Sequence, residues 1–87
     1  MPDVRADPDK LRQFASAMSR SAGQLESIAR QLQRGLDATG WQDSERQRFE
    51  EDFRATVQAL SGFTERLRDT YAPQLHKKAA ALDRFRE

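Results

Sequence analysis

Two apolar stripes, each repeating at three- and four-residue steps and separated by one short glycine-containing interruption, restrict this chain to paired helices. The first runs through Leu11, Phe14, Ala15, Met18, Ala22, Leu25, Ile28, Ala29, Leu32 and Leu36, a spacing that stacks side chains on one face of an α-helix. Leu11, Met18, Leu25 and Leu32 are successive heptad positions within it. The second runs through Phe49, Phe53, Val57, Leu60, Thr64, Leu67, Tyr71, Leu75, Ala79, Leu82 and Phe85. No alternating run of Val, Ile and Thr bounded by turn residues accompanies them, so the sequence gives strands no support.

The punctuation agrees with the stripes. Asp7-Pro8-Asp9 reads as a helix start: Asp7 can accept from the first free amides, Pro8 suits the first helical position, and Asp9 complements the positive end of the helix dipole. A first helix over about 8–36 follows. Ser16, Ser19, Ser21, Ala22 and Gly23 make its middle small, which permits a close neighbour at a modest cost in helix propensity. Residues 37–43 form a turn in which Gly40 suits a backbone of positive φ. Asp43 or Ser44 can cap a second helix over about 44–85, Ser44 and Gln47 fit a capping box, and Glu45, Glu50, Glu51 and Asp52 carry the sign its N-terminus favours. Pro73 lacks an amide donor and collides with the carbonyl of Asp69, which predicts a kink or brief break near Thr70–Pro73.

Plotted at ~100° per residue, the two apolar arcs are roughly 140° and 160° wide, broader than the ~100° stripe of an ordinary surface helix. One neighbour cannot cover such an arc, whereas in a four-helix bundle each helix meets two others. Eighty-seven residues without a cysteine leave a small core with no disulfide or thiolate-metal reinforcement. The expected fold is therefore all-α: one antiparallel two-helix hairpin, pairing into a four-helix-bundle dimer with an identical or a similar hairpin. Its candidate core and dimer interface comprises Leu11, Phe14, Met18, Leu25, Ile28, Leu32, Phe53, Val57, Leu60, Leu67 and Leu75.

Other chemistries find little footing. Fifteen basic residues balance 14 acidic ones, so no strong field favours nucleic acid or anionic lipid. The longest apolar run falls far short of the ~20 residues that span a bilayer, and the first residues lack the charged and apolar regions of a secretory leader. A membrane-active reading of the amphipathic stripes is weak for the same balance of charge. His76 is the sole histidine and has no partners for a metal site or a triad. Glu50, Glu51 and Asp52 are consecutive, so on a helix they diverge. Arg66, Arg68, Lys77, Lys78, Arg84 and Arg86 bias the distal part of the second helix to positive, which suits a helix C-terminus. No enzyme activity, cofactor or metal is expected.

The turn Gly40-Trp41-Gln42-Asp43 between two long helices, with Asp7-Pro8, Leu11 and Phe14 early and Phe49 and Phe53 soon after the tryptophan, resembles the Trp-x-Gly (WXG) family of type VII secretion proteins over almost the whole chain. Trp41 would match the family tryptophan, which packs where the helices meet; Asp43 stands where the family motif has Gly. The resemblance implies a bacterial four-helix dimer, homomeric or heteromeric, exported folded without a cleavable signal peptide or partnering a secreted effector, with a secretion ATPase as a further candidate partner. Such a protein is cytoplasmic before export. The family's Tyr-x-x-x-Asp/Glu export signal has no counterpart, because Tyr71 is followed four residues on by Leu75. The alternative is a cytoplasmic helical chaperone or adaptor that stays in the cell. Trp41 itself reads first as a plug closing the hairpin, and second as an anchor for export machinery.

Overall fold

The computed structural model describes residues 6–85. The Met1–Arg5 part of the leader reading, and Arg86, lie outside them.

Helix α1, Pro8–Ala38, starts as its sequence dictates: the Asp7 carboxylate accepts from the Asp9 amide at 2.9 Å, and Pro8 occupies the first turn. It runs two residues beyond Leu36, because Thr39 closes it: both the amide and the hydroxyl of Thr39 donate to the Leu36 carbonyl, at 3.2 and 2.7 Å. The turn is thus shorter than 37–43. Gly40 follows with φ +71°, a left-handed conformation that glycine adopts without a Cβ clash.

Helix α2, Ser44–Arg66, is capped by Asp43 rather than Ser44. With Asp43 at the cap, the position a capping box needs is Arg46, so Gln47 falls one residue too far along for the Ser44–Gln47 box to form. After Arg66 the arm does not break. Leu67–Tyr71 forms a π-helical turn in which the Ala72 amide donates to the Leu67 carbonyl, and α3, Ala72–Phe85, continues from it with helical dihedrals. The expected distortion at Thr70–Pro73 is corrected to one starting earlier, at Leu67. A π turn absorbs an extra residue in a wider coil, which accommodates a missing donor at Pro73 without stopping the helix.

The molecule measures 65 × 20 × 16 Å, with a radius of gyration of 19.3 Å, against ~12 Å for a compact domain of this length. Each helix is ~10–12 Å across with side chains, so the hairpin is a single layer of two arms. Its long axis matches the second arm, Ser44–Phe85, whose length is ~63 Å at ~1.5 Å per residue.

Burial is confined to the end away from the turn. The buried residues are Pro8, Ala15 and Ala22 of α1, then Thr64, Leu67, Ala72, Ala79 and Leu82 of the second arm. Ala15 and Ala22 are one heptad apart, as are Ala72 and Ala79, so small side chains recur on both facing stripes. Alanines in register let two backbones approach closely. Arg12 pairs with Asp83 and Asp9, and Arg68 with Glu26 at 2.5 Å, bracketing this closed end.

Toward the turn the arms fall out of step. From the Asp37–Arg46 ion pair to Glu26–Arg68, α1 advances 11 residues, from 37 to 26, while the second arm advances 22, from 46 to 68. At an equal rise, roughly 16 Å of the second arm has no length of α1 to match it. From Glu26–Arg68 to Arg12–Asp83 the advances are 14 and 15 residues, so there the arms keep step.

Candidate interaction face and tryptophan turn

The turn is held by one carboxylate. Asp43 Oδ1 accepts from the Glu45 and Arg46 amides at 3.0 and 3.1 Å, and from the Trp41 indole Nε1 at 2.7 Å. The residue that departs from the Trp-x-Gly pattern therefore caps α2 and fixes the tryptophan at once. A glycine has no side chain to do either.

Trp41 is half-buried, and its ring lies 5.6 Å from that of Phe49, which stacks on Phe53 at 5.9 Å with 12° between planes. Arg46 ties the turn to both helices: it donates to the Trp41 carbonyl at 2.8 Å, pairs with Asp37 at 2.9 Å, and places Nε 3.5 Å from Glu50. Its side chain is only 18% exposed. Glu50 also meets Arg54, at 3.1 Å. Glu50, read from sequence as a helix-dipole and solubility residue, thus belongs to an arginine network, while Glu51 and Asp52 stay exposed.

The interface residues named from sequence divide into three groups. Leu67 is buried within the hairpin; Leu11, Met18, Leu25, Phe53, Val57, Leu60 and Leu75 are half-buried; Phe14, Ile28 and Leu32 are exposed. Phe49, Phe63 and Phe85 are exposed as well. On α1, taking the Ala15–Ala22 line as the direction facing the other arm, Phe14, Ile28 and Leu32 lie roughly 100–140° to one side at ~100° per residue. On the second arm, measured from Thr64 and from Ala79, Phe49, Phe63 and Phe85 lie roughly 60–120° away in the same rotational sense. Because the arms are antiparallel, equal senses of rotation bring both sets to the same broad face. The exposed apolar side chains of the two arms therefore form one surface.

Among the grooves of the turn-proximal half, two are lined by residues of both arms. One, about 280 Å³, lies between the arms and is lined by Ala29, Gln33, Val57, Leu60 and the flanking Glu26, Arg30 and Ser61. The other, about 310 Å³, is lined by Gln31, Leu32, Gly35, Leu36, Thr39, Phe49 and Phe53.

At the border between halves, Thr64 is buried with its hydroxyl donating to the Ser61 carbonyl at 2.9 Å. Beside it, the hydrogen bond from Arg68 holds the Glu26 carboxyl below its ordinary range, with the Arg68 charge and Thr64 adding to the effect against partial desolvation. The same bond raises Arg68. Arg66 sits 5.3 Å over the Tyr71 ring and donates to its hydroxyl at 3.2 Å, so Tyr71 is tied into the π turn.

Among the described residues no group of three His, Cys, Asp or Glu side chains is placed to hold a metal ion, and no helix is long and apolar enough to cross a membrane. His76 is exposed on α3. No family model, curated protein or solved structure matches the chain.

Sequence reasoning passed over the residues that close the hairpin. Ala15, Ala22 and Ala79 were visible as members of the stripes but Ala72 was not, and the seven-residue spacing on both arms was the available signal. Phe63 was missed because it lies beside the second stripe rather than within it. The Glu26–Arg68 pair, 42 positions apart, had no local signature.

Proposed function

We propose that this chain is a non-enzymatic pairing protein of the Trp-x-Gly kind, working as a dimeric substrate of type VII secretion or as the partner of a secreted effector. The observation that carries the pairing is the single-layer hairpin with Phe14, Ile28, Leu32, Phe49, Phe63 and Phe85 exposed on one broad face. Several large apolar side chains exposed on one side mark a candidate interaction site, and a second helical layer laid on them makes a four-helix bundle. Trp41 closing the turn against Phe49 supports the family reading. Asp43 supplies its own way of closing the same turn.

A second reading, a helical chaperone or adaptor that remains in the cell, draws on Tyr71. That residue is followed by Leu75 rather than an acidic residue, and it lies inside a helical arm with its hydroxyl engaged by Arg66. An export signal is expected on an accessible segment.

Co-purification with helical hairpins encoded beside it, followed by sedimentation, tests the pairing. A chain that stays helical, monodisperse and monomeric both alone and with those proteins would sink it. Culture medium from a source strain with active type VII machinery separates the two readings: recovery of the chain there supports export, and its retention in the cell supports the adaptor.

A further inference from the structure

We infer that the groove between the arms is a ligand site and that its ligand is a medium-chain fatty acid, with the acyl chain on the apolar floor of the groove and the carboxylate held at Arg30. Pairing uses the side that carries the exposed phenylalanines, so this site goes beyond the function proposed above and does not depend on it.

The groove lies where the arms fall out of step, between the Asp37–Arg46 and Glu26–Arg68 pairs. Ala29, Val57 and Leu60 form its floor and are half-buried. At ~100° per residue they sit roughly 40° or less from the line joining the arms, so the floor is the seam itself. The groove holds about 280 Å³, at the lower edge of the ~300–1,000 Å³ that small-molecule sites occupy. From Glu26 to Gln33 it extends ~10 Å along α1 at ~1.5 Å per residue, room for one unbranched chain and not for a two-chain lipid.

One lip of the groove is cationic. Arg30 and Ser61 lie roughly 60–80° from the same line, on the side opposite the exposed phenylalanines, so this lip faces away from a second helical layer. Of the two charged residues lining the groove, Glu26 is already matched, because Arg68 donates to it at 2.5 Å. Arg30 acts on Glu26 only through space and forms no ion pair among the described residues. Its free guanidinium offers two parallel donors, the fork that the two oxygens of a carboxylate fill. Gln33 and Ser61 add neutral polar groups to the same groove. A cationic amphiphile would set a second positive charge against Arg30, and a neutral one would leave it unmatched.

The test titrates the full chain with decanoate below its micelle concentration. The methyl signals of Ala29, Val57 and Leu60 should shift saturably. Acetate supplies the head alone and decylamine the same chain with the opposite charge, and each should bind at least about tenfold more weakly. Arg30→Gln should weaken decanoate about tenfold with helicity unchanged, because Arg30 is exposed. Arg30→Glu should bind decylamine in preference to decanoate. Ala29→Phe fills the groove and should abolish binding; circular dichroism shows whether that variant folds, and the two Arg30 variants decide the case if it does not. Sedimentation reads pairing separately: a chain that never pairs but binds decanoate at these methyls loses the function proposed above and keeps this site. The inference is overturned if decanoate causes no saturable shift there, if decylamine binds the original chain as tightly, or if Arg30→Gln binds decanoate undiminished. It is overturned too if phosphatidylglycerol vesicles are bound through Arg30 and the free acid is not.

Discussion

The end of the hairpin away from the turn is closed and the end beside it is open, although both are built from amphipathic helices of similar composition. At the closed end Ala15 and Ala22 face a stripe carrying Ala72 and Ala79, all within 4% exposure or less, and ion pairs hold the arms in step. At the open end Ile28, Leu32, Phe49 and Phe63 remain exposed, and the second arm outruns the first. Side-chain size is what differs. Alanines let two helices approach until nothing else is needed between them, whereas leucines and phenylalanines on both arms hold them apart and need a further layer to fill the gap. The closed end thus stabilises the hairpin, and the binding surface runs from the open end to Phe14 and Phe85, which stay exposed beside the closed one.

Substitutions should separate the two ends by size of effect. Leu67→Ala at the closed end should cost about 2–5 kcal/mol, as large-to-small changes of buried leucine do, while Ile28→Ala measured in dilute chain should change stability by no more than about 0.5 kcal/mol. Urea melts of the two variants side by side check the contrast. If Ile28→Ala costs as much as Leu67→Ala without any partner present, the open end is a core after all.

Ala22→Leu should come next, destabilising by about 1–3 kcal/mol because the facing stripe leaves no space for a larger side chain. Thermal melts report it; an unchanged or raised melting temperature would show that the alanines are not in close contact. Asp43→Ala should cost about 1 kcal/mol for the lost cap and release the indole, shifting Trp41 emission to the red. Asp43→Asn should recover most of both, because an amide oxygen can still accept.

The smallest effect is with acid. Glu26 titrates below its ordinary value in the folded chain because Arg68 donates to it, so its contribution is fully present above the unfolded-state pKa and is lost as pH falls through the depressed folded value. Acid titration of the helical signal should show a step at that low pH, and Glu26→Gln should remove it. A step that persists in Glu26→Gln belongs to another carboxyl group.

How much of this was legible depended on whether the determinant was local. Asp7-Pro8-Asp9, Gly40 and the two stripes announce helix starts, a turn and a hairpin because each acts within a few residues of itself. Which of Asp43 and Ser44 caps α2, and the end of α1 at Ala38 instead of Leu36, were one- and two-residue matters decided by which side chain reached a free backbone group first. Pro73 gave notice of a distortion, but nothing local in the sequence marked Leu67–Tyr71 as the place where a π turn forms. The candidate face was half legible. Periodicity marks Phe14, Ile28 and Leu32 as apolar-face residues, yet their exposure follows from where the alanines seat the other arm, which is a property of both helices together.

The most direct measurement of this account is amide hydrogen exchange resolved along the dilute, unpartnered chain. Amides of α3 and of the first half of α1 should exchange slowly, and those of α2 from Phe49 to Phe63 should exchange many times faster. Uniform protection from Pro8 to Phe85 under those conditions would mean that the hairpin is complete by itself, and would contradict the division into a closed half and a half that awaits a partner.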